Sequence, residues 1–108
     1  MPEIDLDAFA QAHADGGQVV DVREPDEYEA GHVPGARLIP MGQLTGRLGD
    51  IDKSRPVYVV CQAGGRSAAM TDVLTQNGFD AYSLTGGTGA WVGAGRPVEA
   101  EPNSTEGK

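Results

Sequence analysis

The sequence predicts an α/β fold built on a mostly parallel sheet, on three observations. Short apolar segments alternate with amphipathic ones along the chain, the pattern of strands joined by crossover helices. Val57-Tyr58-Val59-Val60 is a continuous apolar run of the kind that fills a parallel strand buried on both faces. Turn residues separate the segments, from Gly16-Gly17 through Val33-Pro34-Gly35 to Gly78, as breakers should between elements.

Ile4 to Ala14 reads as an amphipathic helix, because Leu6, Phe9, Ala10 and His13 recur at helical spacing. Asp5 suits its N-cap, with Ile4 and Phe9 placed to staple the first turn. Gln18 to Val22 reads as a short buried strand. Pro25 to Ala30 is a short helix: Pro25 fits the first position, Asp26 and Glu27 the positive dipole end, and Gly31 the stop. Arg37 to Ile39 is expected to be a strand, and Met41 to Leu48 a short helix with Leu44 and Leu48 on one face. After the Val57–Val60 strand, Ser67 to Asn77 is expected to be a helix with Met70, Val73 and Leu74 inward. Phe79 to Leu84 is a further strand, and a last helical segment surrounds Trp91.

The chain has 108 residues, enough for one domain. The domain is expected over residues 1–98, with 99–108 a polar, flexible tail and fraying from Arg96 onward. Its 39% apolar content suits a globular core. The formal net charge of −8 argues against nucleic acid and anionic membrane as partners, since phosphates are repelled. With one cysteine, no disulfide forms within the chain. MPEIDLDAF lacks the basic and apolar regions of a secretory leader, and no run approaches the roughly 20 apolar residues of a membrane span. The expectation is a cytoplasmic protein whose lone thiol stays reduced. Asn103-Ser104-Thr105 is then a chance sequon. Two histidines and one cysteine, widely separated, give no zinc spacing. TGGTGAW lacks dinucleotide-fingerprint spacing, so neither metal nor cofactor is expected.

The chemistry concentrates at CQAGGRS, Cys61 to Ser67. Cys61 falls where a buried strand ends and a helix begins, the edge at which open α/β sheets bind ligands. A glycine-rich loop can turn its N–H groups toward one point, and the helix start adds more. A thiol there ionises more easily than a free cysteine. Every charged residue from Lys53 to Thr71 is positive, namely Lys53, Arg55 and Arg66, so a positive pocket is expected around Cys61. Arg66 is expected to bind an anion.

CQAGGRS fits C-x-x-G-x-R-S and resembles the loop of single-domain rhodaneses. DVREPDEYEAGHVPGA resembles that family's first signature, and LTGGTGAW the segment near its C-terminal end, so the resemblance covers Ile4 to Val98. It implies a central, mostly parallel five-stranded sheet flanked by helices on both faces. It implies sulfur transfer through a persulfide on Cys61, from an anionic donor such as thiosulfate or a persulfide to cyanide, a thiol or a protein. Cys61 is then the nucleophile, and Gln62, Ala63, Gly64, Gly65, Arg66 and Ser67 bind the persulfide. Asp21 and Arg23 brace the loop, and His32 is a structural histidine of the GHVPGA turn. Relatives that use 3-mercaptopyruvate carry Ser or Thr and no Arg at this place, which tilts the donor toward thiosulfate or a protein persulfide.

The loop has two alternative readings. Phosphatases of the same fold use C-x5-R, whereas Cys61 to Arg66 is C-x4-R, a smaller cradle for a tetrahedral phosphate. Binding modules of the fold lose the cysteine, which this chain keeps.

Overall fold

The computed structural model describes residues 2–100. Five strands form one sheet: β1 (Glu3–Ile4), β2 (Gln18–Asp21), β3 (Arg37–Leu38), β4 (Val57–Val60) and β5 (Ala81–Leu84). Their order is β1-β5-β4-β2-β3, and every neighbouring pair is parallel. The chain winds from β4 to β5 in one direction and from β2 to β3 in the other, so the order reverses between β4 and β2. That reversal is where α/β sheets open a crevice at their carboxyl ends.

Among the described residues, four α-helices cover the sheet: α1 (Leu6–Ala14), α2 (Pro25–Ala30), α3 (Gly65–Gln76) and α4 (Gly87–Gly93). The alternation of side chains along a strand divides the core in two. Val57 and Val59 face a cluster with Leu44, Ile51 and Leu74, beneath α3. Val60 and Leu84 face a cluster with Phe9, Val33 and Trp91, beneath α1 and α4, with Tyr28 of α2 packed against it. Helices therefore cover both faces. Trp91 is buried, meets Phe9 edge-on at 5.5 Å, and donates its indole N–H to the Pro97 carbonyl at 2.7 Å.

Several boundaries differ from expectation. Ile4 belongs to β1, paired beside Leu84; the helix begins at Leu6 with Asp5 as its cap, accepting from the Ala8 N–H at 2.8 Å. Two residues are too few to show a period, so β1 is invisible locally. Met41–Gly46 and Leu48–Asp50 are 3₁₀ turns rather than one α-helix, since Gly42, Gly46 and Gly49 disfavour a regular helix. Phe79 lies before β5, where its N–H closes α3 on the Leu74 carbonyl at 3.0 Å. The segment from Arg96 is not frayed: His32 and Glu99 exchange two backbone hydrogen bonds, each 2.9 Å. The rest of the expected tail, 101–108, with its Asn103-Ser104-Thr105 sequon, lies outside the described residues. Among the described residues, no helix is long and apolar enough to cross a membrane.

Candidate active site

Cys61 follows the last residue of the central strand β4, at the point where the sheet order reverses. Strand alternation puts its side chain on the Val57 and Val59 face, toward α3, and the residue is 1% exposed. The chain then turns through Gln62, Ala63 and Gly64 into α3. Gly64 has φ 114° and ψ −12°, a left-handed conformation that costs a residue with a Cβ. That conformation aims its N–H at the Cys61 Sγ, 3.0 Å away. The helix starts at Gly65 rather than Ser67, so Gly65, Arg66 and Ser67 are first-turn residues. Ser67, fully buried, brings its hydroxyl to 3.5 Å from the sulfur.

Two opposing effects set the acidity of the thiol. Burial pushes it up; the Ser67 hydroxyl and the N–H groups of Ser67, Gly64 and Ala63 pull it down and prevail, leaving it below its ordinary value. A second hydroxyl stands behind the first: Ser83 on β5 lies 2.8 Å from Ser67 Oγ and is itself buried.

The charged side chains are arranged differently from the expected positive pocket. Arg55 pairs with Asp52 at 3.4 Å, and Lys53 sits over the Phe79 ring at 5.1 Å. Both precede β4 and lie at its amino end. The four residues of β4 separate them from Cys61, roughly 13 Å at about 3.3 Å per residue. Neighbours in sequence become opposite ends of a strand. Arg66 does lie near the site, but it forms a two-pronged pair with Glu27 of α2, at 2.7 and 2.9 Å. Glu27 is held down to about 2 by the Arg66 hydrogen bonds first and by the Glu24 N–H second. The same pair raises the Arg66 guanidinium above its ordinary value. The groups that favour the thiolate are thus the Ser67 hydroxyl first and then the backbone N–H groups of Ser67, Gly64 and Ala63.

Asp21 and Arg23 are 0% and 2% exposed. The Arg23 Nη2 reaches Asp21 Oδ2 at 2.8 Å and the Gly31 carbonyl at 2.9 Å. Its Nη1 donates to Gln62 Oε1 at 3.1 Å. This buried pair, satisfied on all sides, ties α2 and β2 to the Cys61 loop. His32 lies stacked on Tyr28 at 3.6 Å, and its Nδ1 faces the Tyr28 carbonyl at 2.8 Å.

The other side of the loop is held by a segment that local sequence reasoning left without a role. Thr88 N–H donates to the Cys61 carbonyl at 2.7 Å, and Gly89 N–H to the Gln62 carbonyl at 2.9 Å. Gly87 has φ +59°, and a Cβ there would collide with the Cys61 carbonyl oxygen and lie 2.8 Å from that of Gln62. The glycines of LTGGTGAW were the visible signal for this clasp. Ser83 gave none, and Glu27 read only as a helix-dipole residue.

The chain is similar to known proteins in both sequence and fold. The family model described as "Rhodanese-like domain" matches residues 5–94, and the chain belongs to that family. A protein named "Sulfurtransferase" from Allochromatium vinosum is 37% identical over 101 residues, 91% of this chain and 94% of that one. The Bacillus subtilis "Uncharacterized protein YqhL" is 46% identical over 77 residues, 70% of this chain. "Putative sulfur carrier protein YrkF" of the same organism is 32% identical over 86% of this chain. The chain spans 61% and 52% of those two Bacillus relatives. Among solved structures, a rhodanese-related protein from Thermoplasma volcanium superposes with TM-score 0.88 at 29% identity. The match covers 94% of this chain and all of that one.

Proposed function

We propose that this protein is a sulfurtransferase that carries a sulfane sulfur on Cys61. The observation behind this is a buried thiol at the carboxyl end of the central strand, lowered in pKa and met by the Gly64 N–H at 3.0 Å. The names of its relatives, a sulfurtransferase and a putative sulfur carrier protein, point the same way.

In the proposed reaction the Cys61 thiolate attacks the outer sulfur of an anionic donor, thiosulfate or a persulfide. The donor's S–S bond breaks, and sulfite or a thiolate departs with the electron pair. The new persulfide places its negative charge among the N–H groups of the loop, which are already oriented. Gln62 to Ser67 form that cradle, with Asp21 and Arg23 fixing its shape. A thiophilic acceptor (cyanide, a thiol or a protein thiol) then takes the outer sulfur and restores the thiolate. No cofactor enters the scheme, and a reducing cytoplasm suits a thiol with no internal partner.

Intact-protein mass spectrometry tests the proposal. Incubated with donor and no acceptor, the protein gains the mass of one sulfur atom, and cyanide or a small thiol removes it. No adduct from any of several donors, on protein whose thiol is shown to be free, would point instead to a binding module.

A further inference from the structure

The two arginines at the site are both committed. Arg23 is closed on Asp21, and Arg66 on Glu27. These four side chains sum to zero charge beside the thiol. A small dianion arriving at Cys61 therefore meets no unpaired guanidinium at these two positions and must compete with Glu27 for Arg66. Glu27 is well placed to hold on. One of its oxygens also accepts the Glu24 N–H at 3.0 Å, which caps α2, so the carboxylate is fixed from both sides.

A cavity of about 670 Å³ opens beside the same carboxylate. Glu27 and Gln62 contribute polar wall, and Ala30, Val92 and Val98 apolar wall. Val92 and Val98 are 52% and 42% exposed and line the same cavity, so together they offer it an accessible apolar surface. Thiosulfate has nothing to place against these valines. The carbon chain of an organic persulfide does.

Resting on the sulfurtransferase proposal above, we infer that Glu27 determines donor specificity: by occupying Arg66 it disfavours small dianionic donors and leaves the site suited to organic persulfides. The favoured step is attack of the Cys61 thiolate on the outer sulfur of R–S–SH. Cys61 becomes the persulfide, and the donor leaves as the thiolate R–S⁻ with the electron pair of the broken S–S bond. That leaving group brings one negative charge where sulfite brings two.

The test compares thiosulfate with freshly prepared hydroxyethyl persulfide, using the rate of Cys61 persulfide formation on the full chain. Glu27→Gln keeps an oxygen for the Glu24 N–H and removes the charge. It should raise loading efficiency with thiosulfate about three- to fivefold, the scale on which a partly exposed ion pair competes, and leave the persulfide within about twofold. Glu27→Ala should shift the ratio in the same direction. In Glu27→Gln combined with Arg66→Met the gain should vanish, because the released guanidinium is its source. Unchanged or reduced thiosulfate loading in Glu27→Gln, relative to the persulfide, overturns the inference and leaves Glu27 as a helix cap. Absence of loading from both donors in every variant, with the thiol free, sinks the sulfurtransferase proposal itself.

Discussion

Ser83 on β5 places its hydroxyl 2.8 Å from that of Ser67 on α3, and Ser67 stands 3.5 Å from the Cys61 sulfur. Both serines are buried. Ser67 has one proton and three acceptors within reach: the sulfur, Ser83 Oγ, and the Gly64 carbonyl at 3.2 Å. When Ser83 donates to Ser67, the Ser67 proton is released toward the sulfur as the thiol ionises. Chains of this kind polarise each member.

The thiol should therefore titrate below the ordinary value of a free cysteine, because the Ser67 hydroxyl and the loop N–H groups outweigh its burial. Alkylation rate against pH measures this. Ser67→Ala should move the midpoint upward, and Ser83→Ala should move it in the same direction by less. A midpoint at or above the free-thiol value in the unmodified protein would contradict the site geometry.

Cys61→Ser should abolish turnover with thiosulfate and cyanide and leave the circular dichroism spectrum unchanged. The serine hydroxyl can still accept the Gly64 N–H but cannot hold a transferable sulfur. Substantial residual sulfur transfer would show that Cys61 is not the carrier.

Gly87→Ala should cost about 3 kcal/mol or more, because it combines a left-handed backbone with a backbone collision. The Cys61 and Gln62 carbonyls are the atoms struck, so sulfur loading should fall even at temperatures where the variant remains folded. Chemical denaturation and loading kinetics on the same sample measure both effects.

Arg23→Met should destabilise the fold by about 3–5 kcal/mol, since it leaves the fully buried Asp21 carboxylate without its counterion. Arg23→Met combined with Asp21→Leu should recover much of that loss. Urea titration of the three variants checks the cycle.

The Glu27–Arg66 pair predicts a pH signature. Glu27 is held down to about 2 from an ordinary 4.5, so its stabilisation is fully present above about 4.5 and is lost as pH falls through about 2. The side chains of Arg66 and Glu27 are 34% and 31% exposed, so solvent limits the effect to below about 1 kcal/mol. The stability gap between wild type and Glu27→Gln should be constant near neutral pH and close between pH 4.5 and 2. A gap that widens on acidification would show that the pair does not form in solution.

The sequence by itself determined what local pattern can encode. The parallel α/β class follows from alternating segments and the Val57–Val60 run. The placing of Cys61 between strand and helix follows from that run and the glycines after it. CQAGGRS, DVREPDEYEAGHVPGA and LTGGTGAW together specified the family. Tertiary structure alone decided which charges meet the thiol. Lys53 and Arg55 are close to Cys61 in sequence, but β4 is extended and carries them to the far end of the sheet. Glu27 is distant in sequence, but the order reversal between β4 and β2 sets α2 beside the start of α3, so its carboxylate reaches Arg66. Ser83 and Gly87 reach the site in the same way, because β5 lies next to β4 and α4 starts against the Cys61 loop. Period and composition describe one segment at a time; pairing between strands decides which segments share an edge, and the charge and hydrogen bonding of the site are properties of that edge.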